Sequence, residues 1–157
     1  LSGNRRRHDV LLVNIRHGDV YSTVRATRVE SMDLNKFCEC VREKYPAISK
    51  KADIEYDKYW NSIVKMEFSS YSWFESLANA LNLEMKKKAS VESHIELLEF
   101  ISSQFSVGIE EVRNAIDVAF VENLFWQVSA TEAKPYWQVL PNNLRNLYVG
   151  FHSHTPL

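Results

Sequence analysis

Glu122 and Asn123 are the strongest candidates for chemistry, because a carboxylate and an amide stand side by side in an apolar stretch. Between residues 115 and 128 only two other residues are polar, Asp117 and Gln127. A polar side chain that is buried without hydrogen bonds costs on the order of a few kcal/mol, so this pair needs partners. The pair therefore predicts either a buried polar network or a polar pocket. The nearby residues assigned to it are Trp126, Tyr136 and Trp137.

Recognisable catalytic patterns do not accompany this pair. A catalytic carboxylate needs a second group in reach, and none stands at a recognisable spacing from Glu122. The sequence contains no G-x-S-x-G, P-loop, dinucleotide-binding glycine pattern or H-E-x-x-H. The chain is therefore predicted not to be an enzyme and to use no cofactor. An enzyme or small-ligand binder with a polar pocket at Glu122 and Asn123 stays open as the alternative.

The cysteines and histidines predict no metal site. Cys38 and Cys40 would lie about 200° apart around a helix, and two cysteines are too few for a disulfide framework. His152 and His154 lack a third ligand in the sequence. His94 falls on the apolar side of its helix and is expected to be a hydrogen-bonded core residue. Free cysteines suit a reducing cytoplasm, which is the predicted location.

Acidic and aromatic residues predict a protein-binding surface. Three glutamates recur at helical spacing and form an exposed stripe: Glu92, Glu96 and Glu99. The 19 aromatic residues are more than one small core needs, and Tyr and Trp are enriched at binding hot spots. The aromatic residues assigned to this surface are Tyr56, Tyr59 and Trp60. A protein partner with a basic surface is therefore expected, and core packing with a solvated acidic side is the simpler alternative.

Charge is distributed unevenly along the 157 residues. Residues 1–31 carry six arginines and three acids, whereas residues 32–157 carry thirteen cations and seventeen acids. The acidic part argues against a nucleic-acid partner, and no apolar run reaches the roughly 20 residues of a membrane helix. We expect an N-terminal extension at 1–31, either a β-hairpin or a disordered arm, followed by a single domain at 32–157.

The apolar periodicity predicts an all-α domain of five to six helices. Expected helices cover 34–45, about 53–66, 70–85 after a Ser69 or Ser70 cap, 90–105, 109–128 and a short 144–151. The stretch 109–128 is apolar nearly all round, which predicts a central buried helix. Its apolar stripe changes sides after Phe120. Pro135 and Pro141 predict irregular structure between the last two helices.

The segments 110–116, 120–124, 140–141 and 144–148, with Phe37 and Tyr45-Pro46 before them, carry a resemblance that covers roughly residues 34–151. They resemble small bacterial all-helical domains of unknown function, many of which look like immunity proteins encoded beside secreted toxins. The resemblance implies a stoichiometric binder that neutralises a toxin by occlusion. A structural or regulatory helical subunit is the further alternative.

Overall fold

The computed structural model describes residues 31–60, 62, 64 and 66–157. Over these residues the chain is all-helical, with seven α-helices and no strand. The helices are α1 (Leu34–Lys44), α2 (Pro46–Trp60), α3 (Ser70–Lys86), α4 (Ile95–Val107), α5 (Glu110–Asn114), α6 (Ala130–Val139) and α7 (Asn142–His152). The all-α prediction is confirmed. The predicted N-terminal hairpin or arm lies, except for Ser31, outside the described residues.

Pro46 separates the first two helices. The residue before a proline is pushed out of the helical region, so α1 ends at Lys44. Pro46 then begins α2, because the first turn of a helix does not use the missing N–H group. The prediction of a helix at about 53–66 is wrong in its bounds, since α2 begins at Pro46 and ends at Trp60.

The helix with the most neighbours is α3, which packs against α1, α2, α6 and the segment after α5. Ser69 caps α3 by accepting a hydrogen bond from the Ser72 N–H (3.2 Å), as the sequence predicts. The large side chains that α3 buries completely are Trp73, Phe74, Leu77 and Leu81. The domain is therefore organised around α3 rather than around the predicted central helix at 109–128.

The stretch predicted as one helix at 109–128 is helical only to Val121, and it changes from an α-helix to a π-helix on the way. After α5 the segment Ala115–Val121 is a π-helix, and the Glu122 N–H bonds the Asp117 carbonyl oxygen five residues back (3.1 Å). A π-helix has more residues per turn than an α-helix, so its apolar side chains drift around the axis. The apolar stripe changes sides after Phe120 because Leu124, Phe125 and Val128 lie beyond the π-helix, where helical spacing no longer applies. The predicted end at Val128 is wrong, because turns follow Val121 directly.

The helix α6 was not predicted, and it raises the count from five or six to seven. Ser129 and Glu132 form a capping box, in which Ser129 Oγ accepts from the Glu132 N–H and Glu132 Oε2 from the Ser129 N–H. Pro135 lies inside the helix, where proline costs about 3 kcal/mol. Burial of Ala133, Tyr136 and Trp137 and the capping box offset this cost.

The last predicted helix is confirmed as α7, which buries Leu144 and Tyr148. The longest helix is α3, with 17 residues. No helix in the described part of the chain combines the length and apolarity needed to cross a membrane. A 3₁₀ turn at Val91–His94 precedes α4, and Ser90 caps it by accepting from the Glu92 N–H (3.3 Å).

Candidate functional site

The acidic stripe lies on the exposed side of α4 and of the 3₁₀ turn before it. Glu92, Glu96 and Glu99 are all exposed, while the other side of α4 is buried. Tyr45 lies against the stripe, with its hydroxyl 3.4 Å from Glu96 Oε1 and 3.3 Å from the Glu96 carbonyl oxygen. Burial and the carboxylates of Glu96 and Glu99 raise the pKa of Tyr45 to about 12. The phenol therefore stays protonated beside the stripe.

This stripe belongs to a longer acidic segment. Residues 89–133 contain eight carboxylates and one arginine, a net charge of −7. The five exposed carboxylates are Glu92, Glu96, Glu99, Glu110 and Glu111. Within the described residues, none of the eight is in an ion pair with Lys or Arg. The Arg113 guanidinium lies over the Phe105 ring instead, 5.1 Å from its centroid. Unpaired charge of one sign produces a field that attracts a cationic partner.

The aromatic residues assigned to the same surface lie elsewhere. Tyr56 is buried, and its hydroxyl oxygen accepts a hydrogen bond from the Ser69 N–H (2.9 Å). Tyr59 and Trp60 are exposed, at the C-terminal end of α2. Tyr45 directly precedes α2, whose 15 residues span about 22 Å. The structure thus separates the acidic stripe from the aromatic end of α2.

Glu122 and Asn123 begin the turn that follows the π-helix, here called the 122–128 turn. The Asn123 side-chain amide donates to the carbonyl oxygens of Val118 (3.3 Å) and Ala119 (2.9 Å). It therefore satisfies carbonyl groups that the end of a helix leaves unpaired. His152 Nε2 lies 3.0 Å from the Glu122 carbonyl oxygen. Burial and the Asp117 carboxylate raise the pKa of Glu122, and His152 partly opposes them.

A buried asparagine on α3 holds this turn in place. Asn82 Oδ1 accepts from the Phe125 N–H (2.7 Å), and Asn82 Nδ2 donates to the Asn123 carbonyl oxygen (2.8 Å). Both ends of its amide are thus used by the backbone of the turn. The hydrogen bonds that join this turn to α3 centre on the buried Asn82, which was not predicted. The available signal is that Asn82 lies on the side of α3 that also buries Phe74 and Ala78, at four-residue steps.

Trp126 stands at the tip of the 122–128 turn and is 65% exposed. Its neighbours Phe125 and Gln127 both have left-handed backbone conformations, with φ of 64° and 53°. This conformation is unusual for a bulky residue such as Phe. The Phe125 ring is buried edge-to-face against Trp137 (centroids 5.8 Å apart) and Tyr148 (5.4 Å). The turn therefore buries one aromatic residue and exposes the next.

A second polar cluster, also not predicted, includes residues from α2, α3 and α6. Lys51 Nζ lies 2.5 Å from the buried carboxylate of Glu84. His94 Nε2 is 3.9 Å from Glu84 Oε2, too far for a hydrogen bond, and it has no other partner within the described residues. Burial lowers the pKa of His94, although Glu84 opposes this shift. The prediction of a core histidine is right, but its Nε2 is not hydrogen-bonded.

Tyr136 belongs to this second cluster rather than to the 122–128 turn. Its hydroxyl donates to the Ala89 carbonyl oxygen (3.1 Å). Burial and the Glu84 carboxylate raise the pKa of Tyr136 to about 12. Its ring centroid is 6.0 Å from that of His94. The five residues predicted as one network or pocket are thus divided between two places in the fold.

The comparison with protein families matches residues 38–154 to a family described as Domain of unknown function (DUF7674). The chain belongs to the DUF7674 family. The resemblance to helical domains of unknown function is confirmed at this level. The matched residues of the DUF7674 domain include the acidic segment, the 122–128 turn and the second cluster. Neither the curated proteins nor the solved structures give a match.

The cysteines and histidines of the DUF7674 domain form no metal site among the described residues, where no group of three His, Cys, Asp or Glu is arranged to hold an ion. Cys38 is buried, and burial raises the pKa of its thiol to about 11. A thiol with a raised pKa is a poor nucleophile at neutral pH. His152 packs on the Tyr148 ring, with centroids 4.2 Å apart.

Proposed function

We propose that this DUF7674 domain is a non-enzymatic protein-binding module whose acidic segment, residues 89–133, contacts a basic protein partner. The observation that carries the proposal is the net charge of −7, with no carboxylate paired to Lys or Arg in the described part of the segment. Other regions of the domain do pair their charges, as in Arg42–Asp53 (3.0 Å). The acidic segment differs from the rest of the domain in carrying eight carboxylates against a single arginine, with no Lys or Arg ion pair among the described residues.

The mechanism is occlusion assisted by electrostatic attraction. A cationic surface gains Coulomb energy as it approaches the acidic segment, and complementary fields raise association rates from about 10⁵–10⁶ to as much as 10⁸–10⁹ M⁻¹s⁻¹. The resemblance to immunity-type proteins supports the specific form of this proposal. In that form the segment covers the basic active-site surface of a toxin, and the toxin is inactive while the complex persists.

A polar pocket at Glu122 and Asn123 has weaker support. The Asn123 amide nitrogen is committed to two carbonyl groups of the preceding π-helix, so it is not available to a ligand. The Glu122 carboxylate has no second catalytic group assigned to it. We therefore place the function on the surface of the domain rather than in a pocket.

The test compares two variants of equal charge. Glutamine replaces the exposed carboxylates Glu92, Glu96 and Glu99 in the first variant, and Glu39, Glu43 and Glu67 in the control variant. Crosslinking and mass spectrometry identify the partner of the wild-type domain, and stopped-flow mixing then measures association at several salt concentrations. We expect the first variant to associate at least about tenfold more slowly at low salt, with a shallower salt dependence, and the control to change little. Equal rates for all three proteins would refute the proposal.

A further inference from the structure

The 122–128 turn exposes an aromatic ring that the fold does not use. Of the four tryptophans, Trp73 is fully buried, Trp137 is 8% exposed, Trp60 is 36% exposed and Trp126 is 65% exposed. No ring or cation contact of Trp126 occurs among the described residues. An indole exposed to water does not contribute the burial energy that tryptophan usually gives to the folded state. Tryptophan is also enriched among the residues that dominate the binding energy of protein interfaces.

The exposed ring stands on a rigid base. Asn82 binds the backbone on both sides of Leu124, and the Phe125 ring is fixed between Trp137 and Tyr148. Left-handed residues cost on the order of 1–3 kcal/mol each and persist only where the surrounding structure imposes them. A preorganised turn loses little conformational freedom when a partner binds, so more of the contact energy remains as affinity.

The charge around the base of the turn is negative, and His152 is the group that partly offsets it. Asp117 lies close enough to Glu122 to raise its pKa, although burial contributes more. Tyr71 lies near both: burial and then the carboxylates of Glu122, Glu75 and Asp117 raise its pKa. None of these three carboxylates forms an ion pair with Lys or Arg in the described part of the chain. Like charges held close together repel each other, and a permanently charged Arg or Lys side chain would relieve that repulsion.

We propose that the 122–128 turn is the anchor point for an Arg or Lys side chain of the basic partner, which packs on the Trp126 ring and pairs with the Glu122 carboxylate. A cation over an indole face gains about 0.5–2 kcal/mol, and the carboxylate adds a charge-assisted hydrogen bond. An acidic partner would increase the repulsion at Asp117 and Glu122. The inference deepens the proposed function, since it assumes the basic partner and assigns the residue that recognises it.

A titration that needs no partner tests the chemistry of this site. A short blocked oligo-arginine peptide is added to the ¹⁵N-labelled domain, and the indole N–H resonance of Trp126, assigned with Trp126→Phe, is followed by NMR. We expect a saturable shift of this resonance with oligo-arginine and none with oligo-glutamate. Loss of the shift in Glu122→Gln supports the paired carboxylate. No shift with oligo-arginine, or equal shifts with both peptides, would overturn the proposal.

Measuring the affinity for the natural partner distinguishes a failure of the Trp126 anchor from a failure of the acidic-segment function. We expect Trp126→Ala to weaken the complex at least about fivefold, while Tyr59→Ala, which removes another exposed ring at 61% exposure, leaves it unchanged. Both variants should keep the wild-type melting temperature, because both rings are exposed. If the glutamate variant slows association but Trp126→Ala binds normally, the anchor is refuted and the acidic-segment function stands. If only Trp126→Ala weakens binding, the anchor at the 122–128 turn stands and the contact of Glu92, Glu96 and Glu99 with the partner is refuted.

Discussion

Two regions of the domain differ in the balance and the pairing of their charged residues. Residues 31–88 contain ten cations and nine carboxylates, and the Lys or Arg ion pairs of their described side chains include Lys36–Glu39, Arg42–Asp53 and Lys51–Glu84. Residues 89–133 contain one cation and eight carboxylates, and no such pair is formed among their described side chains. The first region nearly balances its charges and pairs several of them within the fold, whereas the second carries an excess of carboxylates with no Lys or Arg partner among the described residues.

The backbone differs between the same two regions. The first is built from regular α-helices, and its charges take part in packing: Asp53 accepts from both the Arg42 guanidinium and the Trp73 indole N–H (2.8 Å). The second contains the π-helix and the left-handed residues of the 122–128 turn. Its irregular backbone depends on Asn82, which belongs to the first region. We conclude that the first region supports a surface that the second region presents.

The largest expected effect tests this dependence directly. Asn82→Ala leaves the Phe125 N–H and the Asn123 carbonyl oxygen without their partners, and each such loss costs about 1–3 kcal/mol. We expect the free energy of unfolding in urea to fall by roughly 2–4 kcal/mol. The control is Asn79→Ala on the same helix, where Asn79 is only partly buried and its side chain forms no hydrogen bond with the described residues. If Asn82→Ala lowered the free energy of unfolding no more than this control does, the dependence of the turn on Asn82 would be contradicted.

The second region also contains an internal group whose removal should increase stability. Gln104 on α4 is fully buried, and neither atom of its side-chain amide has a hydrogen-bond partner among the described residues. Methionine has a similar shape without the amide, so Gln104→Met avoids the cost of burying an unpaired polar group. We expect the free energy of unfolding to rise by about 1–2 kcal/mol. The exposed Gln138→Met is the control, and a destabilised Gln104→Met would show that this amide is paired in solution.

His94 connects the two regions through Glu84 and should make their contact sensitive to pH. Burial lowers its folded pKa below the ordinary value, whereas the unfolded histidine titrates near 6.5. In acid the unfolded state therefore binds more protons than the folded state, and this protonation favours unfolding. The stability that goes with a neutral, buried His94 is fully present above about pH 6.5 and is lost as the pH falls below that value. The slope from one proton is at most about 1.4 kcal/mol per pH unit.

The measurement is urea unfolding of the wild type and of His94→Gln between about pH 7.5 and about pH 5.5, on either side of the unfolded pKa. We expect the wild type to lose more stability than the variant over this interval. His154→Gln, at an exposed position, should retain the wild-type slope. Parallel profiles for wild type and His94→Gln would show that the imidazole has the same pKa in both states. The facing groups that also bear on this pKa are Glu84 and Lys51.

Much of the first region could be predicted from local sequence signals. Ser69 caps α3 and Pro46 bounds α1, and the apolar spacing marks the buried side of α3. The sequence places the C-terminal end of α2 too late because Ile63 and Val64 continue the helical spacing of apolar residues past Trp60. The helix α6 is not among the predicted helices because Pro135 and Pro141 predict irregular structure there, although Ser129 and Glu132 carry a capping signal.

The second region could be predicted only in part, for a physical reason. Its apolar character correctly indicated burial of Ile116, Phe120 and Val121. The left-handed Phe125 and the turn around it are held by hydrogen bonds to Asn82, about forty residues away in sequence. No local pattern contains such a contact, because it depends on how α3 packs against the turn. The division of Trp126, Tyr136 and Trp137 between two places has the same origin.

The smallest expected effect is a change in the free energy of unfolding whose sign differs between the two regions. Glu39→Gln in the first region removes the Lys36–Glu39 pair (3.5 Å), whereas Glu99→Gln in the second removes repulsion from Glu96, three residues away on α4. Pairs at this spacing change helix stability by about 0.2–0.5 kcal/mol, favourably for opposite charges and unfavourably for like charges. We therefore expect urea unfolding at low salt to show a small loss for Glu39→Gln and a small gain for Glu99→Gln. Added salt should remove both, because exposed charges are screened. Two changes of the same sign would mean that the regions do not differ in how they use charge.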